Sequence, residues 1–145
     1  MSLRNTIITI ETGIQYEAVA NAAITPGQIV ELLSTGKVQK QATASGVAEK
    51  AVAIEDYLQG NSVDDDYAAD DRVLYRVFGS GAEVYLILAD GESVAVGAKL
   101  ELALAGEVQA VTTGGTVFAI ATEAVDASDS AATAVNDRRI VCRIL

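Results

Sequence analysis

The sequence predicts an all-β domain, a barrel or sandwich, built from one β unit used twice about a pseudo-twofold axis. Short apolar-alternating runs are separated by turn residues, as barrels and sandwiches require. Helical periodicity is weak throughout. Most telling, the phrase PGQIVELLSTGKVQ at 26–39 returns as VGAKLELALAGEVQ at 96–109.

The two phrases align without a gap at an offset of 70: Gly27 with Gly97, Glu31 with Glu101, Leu32 with Leu102, Gly36 with Gly106, Val38 with Val108, Gln39 with Gln109 and Thr43 with Thr113. Val52-Ala53-Ile54 aligns with Phe118-Ala119-Ile120 at an offset of 66, and DRVLYRVF (71–78) with RRIVCRIL (138–145) at 67. Drifts of this size are what loop insertions produce. The expected organisation is an N-terminal arm over residues 1–7 and a single β domain over 8–145, with a first copy at about 8–78 and a second at about 79–145.

Each element has a local reason. Pro26-Gly27 suits a type II turn, with proline fixing the first φ and glycine supplying the positive second one. Alternation in IVELL and KLELA puts Val30 and Leu32, then Leu100 and Leu102, on a core face, and turns Glu31 and Glu101 toward solvent or a partner. Gly36 and Gly106 close the next turns, and Val38 and Val108 open the returning strands. VAEKAVAIEDYL (47–58) could form a helical turn, but its counterpart TVFAIATEA is rich in β-formers, so both are read as strands. A long acidic loop follows in each copy, at 55–71 and at 123–137, and the matched placement suggests a working surface. In the last strands, Arg76 and Arg143 are expected to pair with a cross-strand carboxylate such as Glu31 or Glu101. Cys142 alternates with Ile140 and Ile144, which reads as a buried, inert thiol.

Composition narrows function. A chain of 145 residues can bury roughly 68–70% of its unfolded surface without a metal or disulfide staple. Its net charge of -10, with no basic stripe, argues against nucleic acid and against anionic membranes. No apolar run approaches the roughly 18 residues of a spanning helix, and the N-terminus lacks a secretory signal, so no export is expected. The absence of histidine removes Ser-His and Cys-His nucleophiles and most zinc sites, and no phosphate-cradling glycine loop occurs. The expectation is a non-enzymatic protein with no cofactor and no metal. Asp64, Asp65, Asp66, Asp70 and Asp71 could in principle hold calcium, but they lack EF-hand spacing and are read as a solvated contact surface. Glu49-Lys50-Ala51 has the look of a lipoyl or biotinyl attachment motif. Gly46, the hairpin glycine, lies too far upstream, however, so Lys50 is read as a plain surface lysine. Tyr16, Tyr75 and Tyr85 are read as core or rim residues.

Taken together, ITPGQIVEL near the start, the VAIED and FAIAT strands, GESVAVGAKLEL in the middle and the terminal RRIVCRIL resemble the small cement or head-decoration proteins of tailed bacteriophages, across most of residues 13–145. That resemblance implies a structural virion protein with a barrel-like or β-tulip fold, made in the bacterial host cytoplasm. It would sit on the outside of an icosahedral head as a homotrimer, bound to the major capsid protein lattice and stabilising the head after expansion. It also implies an N-terminal arm that orders on the shell, here Ser2, Leu3, Arg4, Asn5 and Thr6. Two other readings stay open at the level of sequence: another virion or surface β-module, such as a tail or glycan-binding domain, and the carrier domain.

Overall fold

The computed structural model describes residues 6–10, 13–129 and 134–145. As expected, the fold is all-β. The strands are β1 (Ile8–Ile10), β2 (Gly13–Val19), β3 (Val30–Leu32), β4 (Val38–Lys40), β5 (Ala51–Ala53), β6 (Arg72–Phe78) and β7 (Glu83–Ile87), followed by β8 (Ser93–Val94), β9 (Lys99–Leu102), β10 (Val108–Ala110), β11 (Ala119–Ala121), β12 (Val125–Asp126) and β13 (Arg139–Ile144). Only short 3-10 turns interrupt them among the described residues, at Tyr57–Gln59, Leu104–Gly106 and Val135–Arg138.

One sheet runs β1-β7-β13-β11-β9-β10 and another β2-β6-β5, while β3-β4 and β8-β12 form separate pairs. Every pairing between named strands is antiparallel. Hairpin register follows the turns the sequence predicts. Gly27 adopts φ +96 after Pro26, and a side chain there would lie 2.6 Å from the Arg139 guanidinium, so both conformation and space require glycine.

Backbone pairings recur between the halves. Glu31 faces Gln39 across β3 and β4, and Glu101 faces Gln109 across β9 and β10. In both hairpins the glutamine amide donates to the glutamate, at 2.7 and 2.9 Å. Val52 faces Arg76, and Ile120 faces Arg143. This last match sets Val52 against Ile120, an offset of 68, two residues from the sequence alignment. A two-residue slip preserves which side chains share a face, so the inward-facing residues follow from the sequence alignment although the pairing does not.

The halves do not meet across a twofold axis. Each half has a front, carrying Val30, Val38, Ala51, Ala53, Val73 and Tyr75 in the first and Leu100, Val108, Ala119, Ala121, Ile140 and Cys142 in the second. The back of the first half carries Ile29, Val52, Ile54, Leu74 and Phe78. The main core joins the front of the second half to the back of the first, together with Ile7, Leu86, Leu88 and Phe118. The front of the first half encloses a smaller core of its own with Ala20, Ile24 and Tyr67. A twofold axis would bring matching faces together; here unlike faces meet, which is a head-to-tail relation. Each large aliphatic buried in the main core contributes about 1.5–3 kcal/mol, so this junction holds the domain together.

The asymmetry also corrects Leu32. Its counterpart Leu102 is fully buried, but Leu32 is 64% exposed, because nothing among the described residues covers the front of the first half at that point. Cys142 lies fully buried with Ile140 and Ile144, and burial pushes its thiol well above the ordinary cysteine range, so it is inert.

Candidate contact surfaces

The loop at 55–71 is held down residue by residue. Glu55 is buried and accepts from the Ile7 amide at 3.0 Å, tying the loop to the start of the chain. Tyr67, also buried, donates to the Ile54 carbonyl at 2.7 Å, and its own backbone pairs with Ile24. Burial raises the Tyr67 hydroxyl far above its ordinary titration range.

Asp64, Asp65, Asp66, Asp70 and Asp71 are all exposed, and most are engaged locally. Asp65 accepts from the Ser62 amide at 2.8 Å, and Asp71 from the Ala68 amide at 2.8 Å, each closing a turn. Asp70 pairs with Lys37 at 2.8 Å, and that ammonium holds its carboxyl below the usual range. Asp64 accepts from the Asn136 amide, so the loop of the first half touches the end of the second loop. Among the described residues, no group of three or more such side chains is placed to hold a metal ion. Of the N-terminal residues expected to make contact, Ser2, Leu3, Arg4 and Asn5 lie outside the described residues. Thr6 is exposed, and its hydroxyl donates to the Ile8 carbonyl at 3.2 Å. The second loop is described only to residue 129 and again from 134.

Arg139 organises this corner. It is 1% exposed and donates to the Pro26 carbonyl at 2.6 Å, the Val63 carbonyl at 2.8 Å and the Asn136 side chain at 3.0 Å. The sequence signal is its match to Arg72, yet Arg72 is exposed and bridges Glu17 at 3.1 Å. What separates the two arginines is tertiary: the first-half turn and loop close over Arg139 alone.

Glu31 and Glu101 are not the partners of Arg76 and Arg143. Arg143 does take a cross-strand carboxylate, but it is Glu83, at 3.4 Å, on the neighbouring β7. Arg76 donates to Gln15 at 3.2 Å. Glu31 and Glu101 are committed to their own hairpins. Glu101 is wholly buried instead of facing solvent. One carboxylate oxygen accepts from Gln109 at 2.9 Å, Thr112 at 2.9 Å and Ser45 at 3.0 Å. The Gln109 amide, with the Thr112 and Ser45 hydroxyls, holds its carboxyl below the ordinary glutamate range.

Lys50 is half-buried. Its ammonium lies 4.0 Å from the Phe118 ring centroid and donates to the Phe118 carbonyl at 3.2 Å, and burial lowers its pKa. A modified lysine must project freely from a hairpin tip, and this one joins the halves.

The surface that sequence reasoning did not single out is the edge of β2. No strand pairs with its outer side among the described residues, whereas its counterpart β7 is covered by β1. Exposed apolar side chains gather around that open edge. Ile14 and Tyr16 lie on one face, Tyr16 stacking on Tyr75 at 5.8 Å, and Val19 with Tyr57 lies on the other, where Tyr57 bonds Gln15. An open, apolar-flanked edge offers backbone donors and acceptors to an added strand. The alternation in GIQYEAV is a usable signal for the strand, but which edge stays open is decided by the placement of β1.

No protein-family model matches the sequence, and no curated protein matches it. Among solved structures, the fold is similar to the N base of the head fiber protein gp8.5 of bacteriophage phi29, with a TM-score of 0.60 at 12% identity, over 92% of this chain and 95% of that one.

Proposed function

We propose that this protein is a structural component of a phage virion that binds the outside of an icosahedral head, through the major capsid protein lattice, and stabilises it after expansion. The observation that carries this reading is the likeness in fold to a head fiber base along nearly the full length of both chains. The open β2 edge supports it, because strand addition is a backbone-driven way to mount one protein on another. The structured acidic loop adds a second surface, and assembly as a homotrimer would multiply weak contacts on a symmetric shell. The alternative of an acyl-carrier domain gains nothing from Lys50, whose ammonium is engaged at the junction of the halves.

Purified protein should co-sediment with expanded, DNA-filled heads, not with unexpanded shells, and should raise the heads' resistance to heat and low osmolarity. Equal binding to both forms, or to neither, refutes the proposal. Removal of residues 1–6 should weaken head binding more than folding; unchanged affinity would refute the role of the arm.

A further inference from the structure

The head-to-tail relation inside the chain leaves the rim of one copy of each mating surface uncovered, although Val30, Val38, Ala51, Ala53, Val73 and Tyr75 on the front of the first half are closed by its own smaller core. In the junction, the second half contributes Val84, Leu102 and the turn at Gly106, and the first contributes Ile29, Val52, Leu74 and Phe78. All of these are buried. Gly106 sits so close that a side chain on it would fall 2.6 Å from the Ile29 carbonyl, and its backbone bonds Ile29 and Gln41 at 2.8 and 2.9 Å.

The register matches give each residue a counterpart in the other half. Tyr16 stands where Val84 stands and is 46% exposed, and Leu32 stands for Leu102 at 64%. Gly36 stands for Gly106, but a methyl group added to it would meet no atom within 4 Å. On the back of the second half, Leu145 stands for Phe78 and is 46% exposed, Ile120 and Val141 are half-buried where Val52 and Leu74 are buried, and Lys99 is exposed where Ile29 is buried. Apolar side chains that are exposed in one half thus occupy the positions that the other half buries in its partner.

We infer that these two surfaces are partners, and that copies of this chain associate head to tail, the back of one second half seating on the front of another first half. The occupant is a second copy because the interface continues one already formed within each chain. Such a heterologous interface joins unlike patches, so it closes into a ring or propagates. This goes beyond attachment to a head and can fail without touching it.

The test is solution mass by light scattering across a wide range of protein concentration, in enough salt to screen the net charge of -10. Wild type should rise above monomer mass with concentration. Leu32→Glu on the front and Lys99→Glu on the back should each stay monomeric, with thermal midpoints near wild type showing that they fold. The deciding arm is an equimolar mixture of the two variants. Each retains one good surface, so the mixture should yield dimers at twice the monomer mass and nothing larger. A wild type that stays monomeric throughout overturns the inference. So does association that survives both substitutions, or a mixture that stays monomeric, since a symmetric interface cannot be rescued that way.

Discussion

The Arg139 guanidinium donates to the Pro26 carbonyl at 2.6 Å, joining the last strand of the second half to the opening turn of the first. Arg139→Met keeps the apolar stem but strands the carbonyls of Pro26 and Val63. The expected loss is roughly 2–4 kcal/mol, read as a drop of about 10 °C in thermal midpoint. A shift under about 2 °C would show that the guanidinium is not the clasp described.

Leu32 and Leu102 hold matching positions in matching hairpins with opposite burial. Leu102→Ala should cost about 2–5 kcal/mol, and Leu32→Ala about 0.5 kcal/mol or less in the monomer. Urea unfolding of the two variants at low protein concentration compares them directly, and equal losses would contradict head-to-tail packing.

Glu101 supplies the pH dependence. Its carboxyl, like that of Asp126 held by Ser128, titrates below the ordinary range when folded. A depressed folded value means that the stabilisation is present above the unfolded value, about 4.3 for glutamate, and is lost as pH falls through the folded one. Thermal midpoint should therefore decline below about pH 4.5. With no histidine in the chain, it should hold level from about pH 5.5 to 7. Glu101→Gln should flatten part of the acid decline; an unchanged acid limb would remove Glu101 as a cause.

Lys50→Met should cost about 1 kcal/mol through loss of the contact with the Phe118 ring. The intact mass of wild type co-expressed with a lipoyl or biotinyl ligase should equal the sequence mass. An added acyl mass on Lys50 would revive the carrier reading.

Cys142 should resist a thiol reagent in native buffer and react fully in denaturant, since only unfolding frees it from Ile140 and Ile144. Rapid native labelling would show that β13 opens readily.

Much of this fold can be read from the chain because hairpins are local. Pro26-Gly27 and the Glu31-Gln39 pair each specify their own turn or register within a few residues, and the Cys142 face follows from alternation alone. What the sequence does not show is which side of a repeated unit its twin covers. Leu32 and Leu102 sit at matching positions of aligned phrases, and so do Arg72 and Arg139. Their different fates depend on contacts made from the other half of the chain. Glu31 and Glu101, named for Arg76 and Arg143, lie elsewhere for the same reason: strand order places Glu83 across from Arg143, and no periodicity encodes strand order. The acidic loop is legible as an exposed excursion, but the open β2 edge is not, since exposure there depends on β1 lying elsewhere.

The smaller core draws only on residues between 18 and 77, whereas the main core needs both halves, and β1 must wait for β7. A chain emerging from the ribosome N-terminus first can therefore complete one folded layer before the rest is made. That layer presents Val52, Ile54, Leu74 and Phe78 as a template on which the second half condenses. Order of synthesis and order of assembly then coincide, and β1 finds its place, Ile8 across from Val84, only once β7 has been made.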